Sequence, residues 1–441
     1  MTSPFVVLVS AIGQAVVTGH TQPSVENLKQ IINDHRPKLD HYESVYKNLH
    51  SRPELGCMES ETAGVAAEHL KNLGFEVHEG IGGHGLAGVF KNGSGRTILL
   101  RADMDALAIL EETGLSYASR ARMIDDQGVD QPVSHACGHD THVTCLMAAA
   151  TLLHSAKSSW KGTLICLFQP DEEHGAGAQA MVDDGLYKKI PKPDIVLGQH
   201  VTPVRSGVVA TRSGPCMSAA DSFNVTIFGR GGHGSQPQNT VDPVLIASHV
   251  IIRLQSIVSR EVKPGEIAVI TCGSIHGGGT GNVIPDQVDL KLNIRTYTPE
   301  VRSQVLASMK RIIESECEAS GAERKPVITA TDSFPLTDND QGLTDTLTSA
   351  FQSYFGADNV WDMGRATASE DVSILATSIG VPYSYWNFGG TDEDKWEDAV
   401  RKGKVTSLIP GNHSSLFAPV IEPTLRTGID AISLAALTFL T

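Results

Sequence analysis

Basic residues are in deficit: the chain of 441 residues carries 35 Lys and Arg against 50 Asp and Glu, a formal net charge of -15. That balance excludes nucleic acid and an anionic membrane surface as main partners, because both are bound through clustered positive charge. Cysteine is sparse as well. Seven residues, an odd number scattered over the whole length, do not make a disulfide framework, and a reducing, cytoplasmic setting fits them. The apolar run FVVLVSAIGQAVV at 5–17 is too short to span a membrane. It resembles the core of a signal peptide, which keeps secretion open as an alternative. It has no Lys or Arg before it, however, and no clean small-x-small site after it. Internal repeats and low-complexity tracts are also missing.

What is present is ordinary globular composition, 41% hydrophobic and 19% charged, in a chain too long for one compact core. Two domains are expected. TILLRADMD (97–105), GTLICLFQPDEE (162–173) and DIVLGQH (194–200) are nearly unbroken apolar runs that end in reactive residues. Such runs mark strands buried on both faces, as in parallel sheets. Between the first two, HVTCLMAAATLLHSA (142–156) has helical spacing. Strand, helix and strand in that order form an α/β unit, which gathers its ligands at the C-terminal strand ends.

A second pattern starts near Gly214. Strands at 221–229, 268–275, 288–297 and 326–331 and helices at 240–260 and 299–321 follow the order β-α-β-β-α-β. This is the split, ferredoxin-like arrangement of a small antiparallel sheet with two helices, inserted in the first unit. The chain then returns with helices near 342–355 and 422–440 around the short strand YSYWNFGG.

The eight residues HACGHDTH at 135–142 hold three histidines, a cysteine and an aspartate. Thiolate and imidazole are first-row metal ligands, so Cys137 and His139 form a candidate metal grip. Taken alone they read more simply as a buried structural cysteine and an ordinary surface histidine. Glu172 and Glu173 end an apolar strand, where adjacent side chains diverge. One can then ligate a metal while the other stands free as a general base. His200 follows another apolar run, and His413 lies far along the chain in GNHSSLF.

LLRADMDAL, HACGHDTH, LFQPDEE, GQHV, GRGGHGSQP, GNVIPD and GNHSSLF together resemble the M20 metallopeptidase family over roughly residues 40–440. The match is closest to its amidohydrolase branch of hippurate hydrolases, N-acyl-amino-acid amidohydrolases and auxin–amino-acid conjugate hydrolases. The resemblance implies a two-metal catalytic α/β domain interrupted by a smaller α+β dimerisation or lid domain. The expected boundaries are an extension over 1–23, catalytic segments over 24–213 and 331–441, and the inserted domain over 214–330. It also implies Cys137, His139, Glu173, His200 and His413 as ligands of two divalent ions per subunit, with Cys137 bridging. Zinc or manganese is expected, and cobalt or nickel is admissible. Glu172 would be the base and Asp105 the aspartate that orients a ligand. His233 would polarise the scissile carbonyl, often in the partner subunit of a homodimer, while Asn282 and Arg295 would hold the substrate.

Three departures stand out. Asp171 and His174 flank the glutamate pair where the family has small residues and Gly, and Ala108 replaces a usual Pro. Asp103 stands where many relatives outside this branch carry a metal-binding histidine. The expected activity is hydrolysis of an N-acyl amino acid or short peptide. A dipeptidase or carboxypeptidase using the same centre is the alternative. A metal-stabilised binding protein without turnover is a further alternative, which the intact Glu172 opposes.

Overall fold

The computed structural model describes residues 25–440. The expected extension over 1–23, with its signal-like run, lies outside the described residues. Among the described residues no helix is long and apolar enough to cross a membrane.

Two sheets organise the chain. The larger has eight strands in the order Glu76–Ile81, Gly85–Asn92, Gly162–Gln169, Thr97–Asp103, Ile195–Arg205, Tyr383–Thr391, Val209–Thr211 and Val360–Asp362. Its centre is parallel: Thr97–Asp103 pairs with Gly162–Gln169 on one side and with Ile195–Arg205 on the other, and the latter pairs with Tyr383–Thr391. Antiparallel pairing enters through the hairpin Glu76–Ile81 and Gly85–Asn92 and again at Val209–Thr211. The sheet is therefore mixed, where the apolar runs alone suggested parallel strands.

Those runs are continuous because both faces are covered. Ile98, Leu100, Leu164, Cys166, Phe168 and Leu197 join one core, while Leu99, Ile165, Leu167 and Val196 join another. The first core is roofed by His139–Ser155 and Ile421–Leu440, helices buried along nearly their whole length. Three helices near the start, Val25–His35, Leu39–His50 and Ser60–Asn72, complete that layer. His50 closes the second of them and bonds Asp140 at 2.7 Å and Glu111 at 3.1 Å. Burial alone would depress this imidazole, yet Asp140 and Glu111 hold it up at about 10. As an imidazolium it pins the early helices to the first turn of His139–Ser155.

The smaller sheet is wholly antiparallel, in the order Ala268–His276, Gln287–Thr296, Ala219–Phe228 and Val327–Phe334. Helices Pro243–Ser256 and Pro299–Ala319 pack on it around a separate core that includes Ile227, Val250, Leu290, Ile294, Val305 and Ile313. Asp242 and Thr298 cap the two helices, accepting from Val244 N–H at 2.9 Å and Val301 N–H at 3.2 Å. Each is followed by a proline whose missing donor costs nothing at a first helical position. Alternating burial along Gln287–Thr296 shows that only one face of this sheet is covered. Its last strand runs to Phe334. Gly214–Met217 pairs with Thr337–Asn339, so the two connections to the larger sheet lie side by side.

Candidate active site

The strand Thr97–Asp103 delivers Asp103 and, two residues on, Asp105; Gly162–Gln169 leads into Glu172 and Glu173. The chain enters the helix His139–Ser155 through Gly138, whose φ is 88°. A Cβ there would lie 2.5 Å from Val201 Cγ1, so only glycine allows both this turn and the close approach. The turn starts the helix at His139 rather than at 142 and brings Cys137 Sγ to 3.3 Å from His200 Nε2. His200 sits inside Ile195–Arg205 and not at its end, because Val201 and Thr202 continue the ladder with Phe388 and Gly389. Two non-glycine residues beside the cluster have left-handed backbone, Asp171 (φ 51°) and His413 (φ 66°). Such conformations cost ~1–3 kcal/mol and concentrate at functional sites.

Hydrogen bonds decide which nitrogen each ring presents. His200 Nδ1–H donates to the Val201 carbonyl at 2.7 Å, which leaves the Nε2 lone pair towards Cys137. His139 Nδ1–H donates to Asp105 Oδ1 at 3.2 Å, and Asp105 Oδ2 accepts from the Glu173 backbone N–H at 2.9 Å. Asp105 thus holds the His139 imidazole and the Glu173 backbone together. His142 is spoken for. Its Nε2 accepts from Val201 N–H at 2.8 Å and its Nδ1–H donates to Asp103.

Two triads share Cys137. They are Cys137 with His139 and His200, and Cys137 with Glu173 and His413, and the ligand atoms of each lie within 4.8 Å of one another. His413 Nε2 is 3.3 Å from Glu173 Oε2, and His139 Nε2 is 3.8 Å from Glu173 Oε1. His139 Nε2 and Glu173 Oε1 are buried without any hydrogen-bond partner. Leaving buried polar atoms unpartnered is costly, and a cation facing both would satisfy the pair by displacing the His139 Nε2 proton. Sulfur, nitrogen and oxygen donors in this mix suit first-row divalent ions, so the residues fit such a metal.

The charge balance points the same way. Carboxyls of Asp103, Glu370 and Asp371 surround the fully buried Arg101, which bonds Asp103 at 2.6 Å and Glu370 at 2.8 Å. Burial, then Glu370, Glu173 and Asp371, push Glu172 well above the usual carboxylate range. Burial would depress His139, but Asp103, Asp105 and Glu173 lift it to about 10. Asp103 is bonded to Arg101 and His142, and its Oδ2 also lies 3.8 Å from His139 Nε2, so it adds negative charge beside the triads.

Sequence reasoning missed Glu370 and Asp371. Their only local signal is an adjacent acid pair in ATASED (366–371), which reads as a solvated turn. In the fold they are buried, with Glu370 accepting from Arg101 and from the Tyr385 hydroxyl.

A cavity of about 730 Å³ adjoins the triads, lined by Cys137, Glu172, Glu173, His200 and His413 together with Met217, Val269, Phe334, Ala366 and Ala368. Arg295 also reaches it, held by the Thr367 carbonyl at 2.8 Å and Ser369 Oγ at 3.0 Å. His233 and Asn282 are not among its walls. They are neighbours on an exposed ladder, where His233 pairs with Val283 and Gly234 N–H donates to the Asn282 carbonyl at 2.8 Å. The His233 ring accepts from Ser235. The fold therefore gathers the five ligand candidates, Glu172, Asp105 and Arg295, and leaves His233 and Asn282 outside this cavity.

Comparison with known proteins gives the family. The family model described as peptidase family M20/M25/M40 matches residues 99–400. Thermostable carboxypeptidase 1 of Saccharolobus solfataricus is 34% identical over 420 residues, covering 94% of this chain and 98% of that protein. Hippurate hydrolase of Campylobacter jejuni is 37% identical over 347 residues, 78% of this chain and 87% of its own. The crystal structure of the Bacillus subtilis YXEP protein, titled a dinuclear metal binding peptidase from the M20 family, superposes with a TM-score of 0.71 at 25% identity. It covers 91% of this chain and 98% of its own. Motifs, fold and relatives coincide: the chain belongs to peptidase family M20/M25/M40, in its amidohydrolase branch, and is a hydrolase of amide bonds.

Proposed function

We propose that the chain cleaves the amide bond of N-acyl amino acids, and that Cys137, His139, His200, Glu173 and His413 would hold two divalent ions, zinc or manganese. When bound, such ions acidify water and polarise a carbonyl. Glu172 takes the proton from the attacking water and returns it to the departing nitrogen. Asp105 holds His139 and the Glu173 backbone in register throughout. Arg295 offers its guanidinium to the free carboxylate of the amino acid.

One observation carries the choice of substrate. Among the described residues, the cavity wall has one cationic side chain besides histidine, Arg295, and no spare acid. Glu173 faces the triads, Glu172 is the base, and both oxygens of Glu370 are occupied by Arg101 and Tyr385. A free carboxylate therefore finds a charge partner, while a free ammonium finds no unengaged carboxylate. This supports N-blocked substrates, including peptides shortened from their C-terminus, over dipeptides with a free amine. In a panel of N-acetyl, N-benzoyl and N-blocked dipeptide substrates beside free dipeptides, with metal content measured on the same sample, the blocked compounds should give at least a ~10-fold higher kcat/KM, about 1.4 kcal/mol. Preference for the free dipeptides would overturn the reading.

His233 belongs, on this reading, to the cavity of a second copy. Support comes from the smaller sheet, whose edge strand Ala268–His276 exposes Val269 and Ile275, and whose helix Pro243–Ser256 exposes Leu245 and Ile252. These surfaces suit a two-fold pairing. His233→Ala and Glu172→Gln should each be nearly inactive, yet mixed heterodimers should regain turnover because one of their sites has both groups intact. No recovery in confirmed heterodimers would place His233 in its own subunit's chemistry or in none.

A further inference from the structure

Three of the ligand candidates sit on segments that share no secondary structure: Cys137 on the turn into a helix, His200 within a strand, and His413 in an irregular loop. Something has to fix the loop. The Asn412 amide Nδ2 donates to the Cys137 carbonyl at 3.0 Å and to the Val201 carbonyl at 3.2 Å. The Val201 carbonyl is also the oxygen that receives His200 Nδ1–H. Next to Asn412, the His413 backbone N–H donates to the Ala136 carbonyl at 2.8 Å. The two protons of one amide thus tie the His413 loop to the residues that carry Cys137 and His200. Downstream the loop is held separately, through two bonds between Ser415 and Glu112, each 2.7 Å.

We infer that Asn412 is a positioning residue for the metal centre: its carboxamide staples the His413 loop to the Cys137 and His200 segments. The inference rests on the ligand set proposed above. The left-handed backbone of His413 strengthens it, since a strained conformation persists only when its surroundings over-determine it. Such outer partners typically contribute 10–100-fold in metal affinity. Asparagine suits the task because one NH₂ group supplies two donors in fixed geometry, whereas serine has one and aspartate none.

The test uses full-length protein stripped by chelation and titrated with Zn²⁺ or Co²⁺ in competition with a chromophoric chelator. Asn412→Ala should weaken at least one of two binding steps by ~10–100-fold and change the Co²⁺ ligand-field spectrum. Asn412→Asp, the same size but without donors, should behave likewise and guards against loss of the fold in the alanine variant. Asn412→Ser, which keeps one donor, should recover part of the affinity. Because the staple serves His413, Asn412→Ala in a His413→Ala background should add less than it does alone, leaving only its direct contact with Cys137, whose Sγ is 3.9 Å away. Wild-type affinity in the Asn412 variants, or full additivity in the double variant, overturns the staple and leaves the ligand set standing. Wild-type affinity in His413→Ala overturns the ligand set itself.

Discussion

Glu172→Gln is expected to lower kcat by ~10²–10⁴-fold while leaving the metal content unchanged. The substitution keeps the shape and removes only the ability to take a proton. Glu172 is buried, its Oε2 lies 3.9 Å from His139 Nε2, and it shares the cavity with the ligand candidates. Burial first, and then the charges of Glu370, Glu173 and Asp371, favour its protonated form, the form it reaches once the proton has been taken. A group that readily accepts and then releases a proton is what amide cleavage needs. In the proposed ligand set Glu173 ligates and Glu172 does not, so metal analysis and kinetics should separate cleanly. A fully metallated variant with near-normal turnover would remove Glu172 from the chemistry.

Chelation is expected to abolish turnover and to restore it on adding back a divalent ion, and Cys137 provides a second readout. In the metal-free chain, burial and then Glu173 and Glu172 push its thiol well above the ordinary range. Labelling by a thiol reagent should therefore be slow at neutral pH and accelerate as pH rises, because only the thiolate reacts. With metal bound the thiolate is held, and labelling should cease across the same pH range. Peptide mapping is needed, since Cys57 is exposed and Cys272 partly so and both supply background. Thermal stability should fall with the metal, by RT ln(1 + [L]/Kd). Equal Cys137 labelling with and without metal would return it to the rank of a buried thiol.

Much of this centre was legible in the residues. A metal site needs particular donor atoms, and HACGHDTH, DEE, GQHV and GNHSSLF offer them after apolar runs that mark buried strands. The β-α-β-β-α-β order of the smaller sheet was legible for the same reason, since periodicity and turn residues act locally. Boundaries were less so: His200 lies within its strand because a partner strand extends the ladder, and no neighbour in sequence reports that.

Other features were decided only by the tertiary structure. His139 and His142 lie one helical turn apart and look equivalent in sequence, yet the Val201 N–H and Asp103 occupy both nitrogens of one and Asp105 only one of the other. Glu370 and Asp371 carry no signal of burial in sequence, and Arg101, from a distant strand, is what packs against them. Asn412 reads as an unremarked loop residue, and its meaning depends on carbonyls far away in the chain. His233 and Asn282 lie beside one another but away from the cavity, which their motifs alone did not reveal. Donor type is a property of the residue and is written in the sequence. Which donor remains free, which charge is compensated and which loop is tied depend on contacts between distant segments, and packing alone sets those.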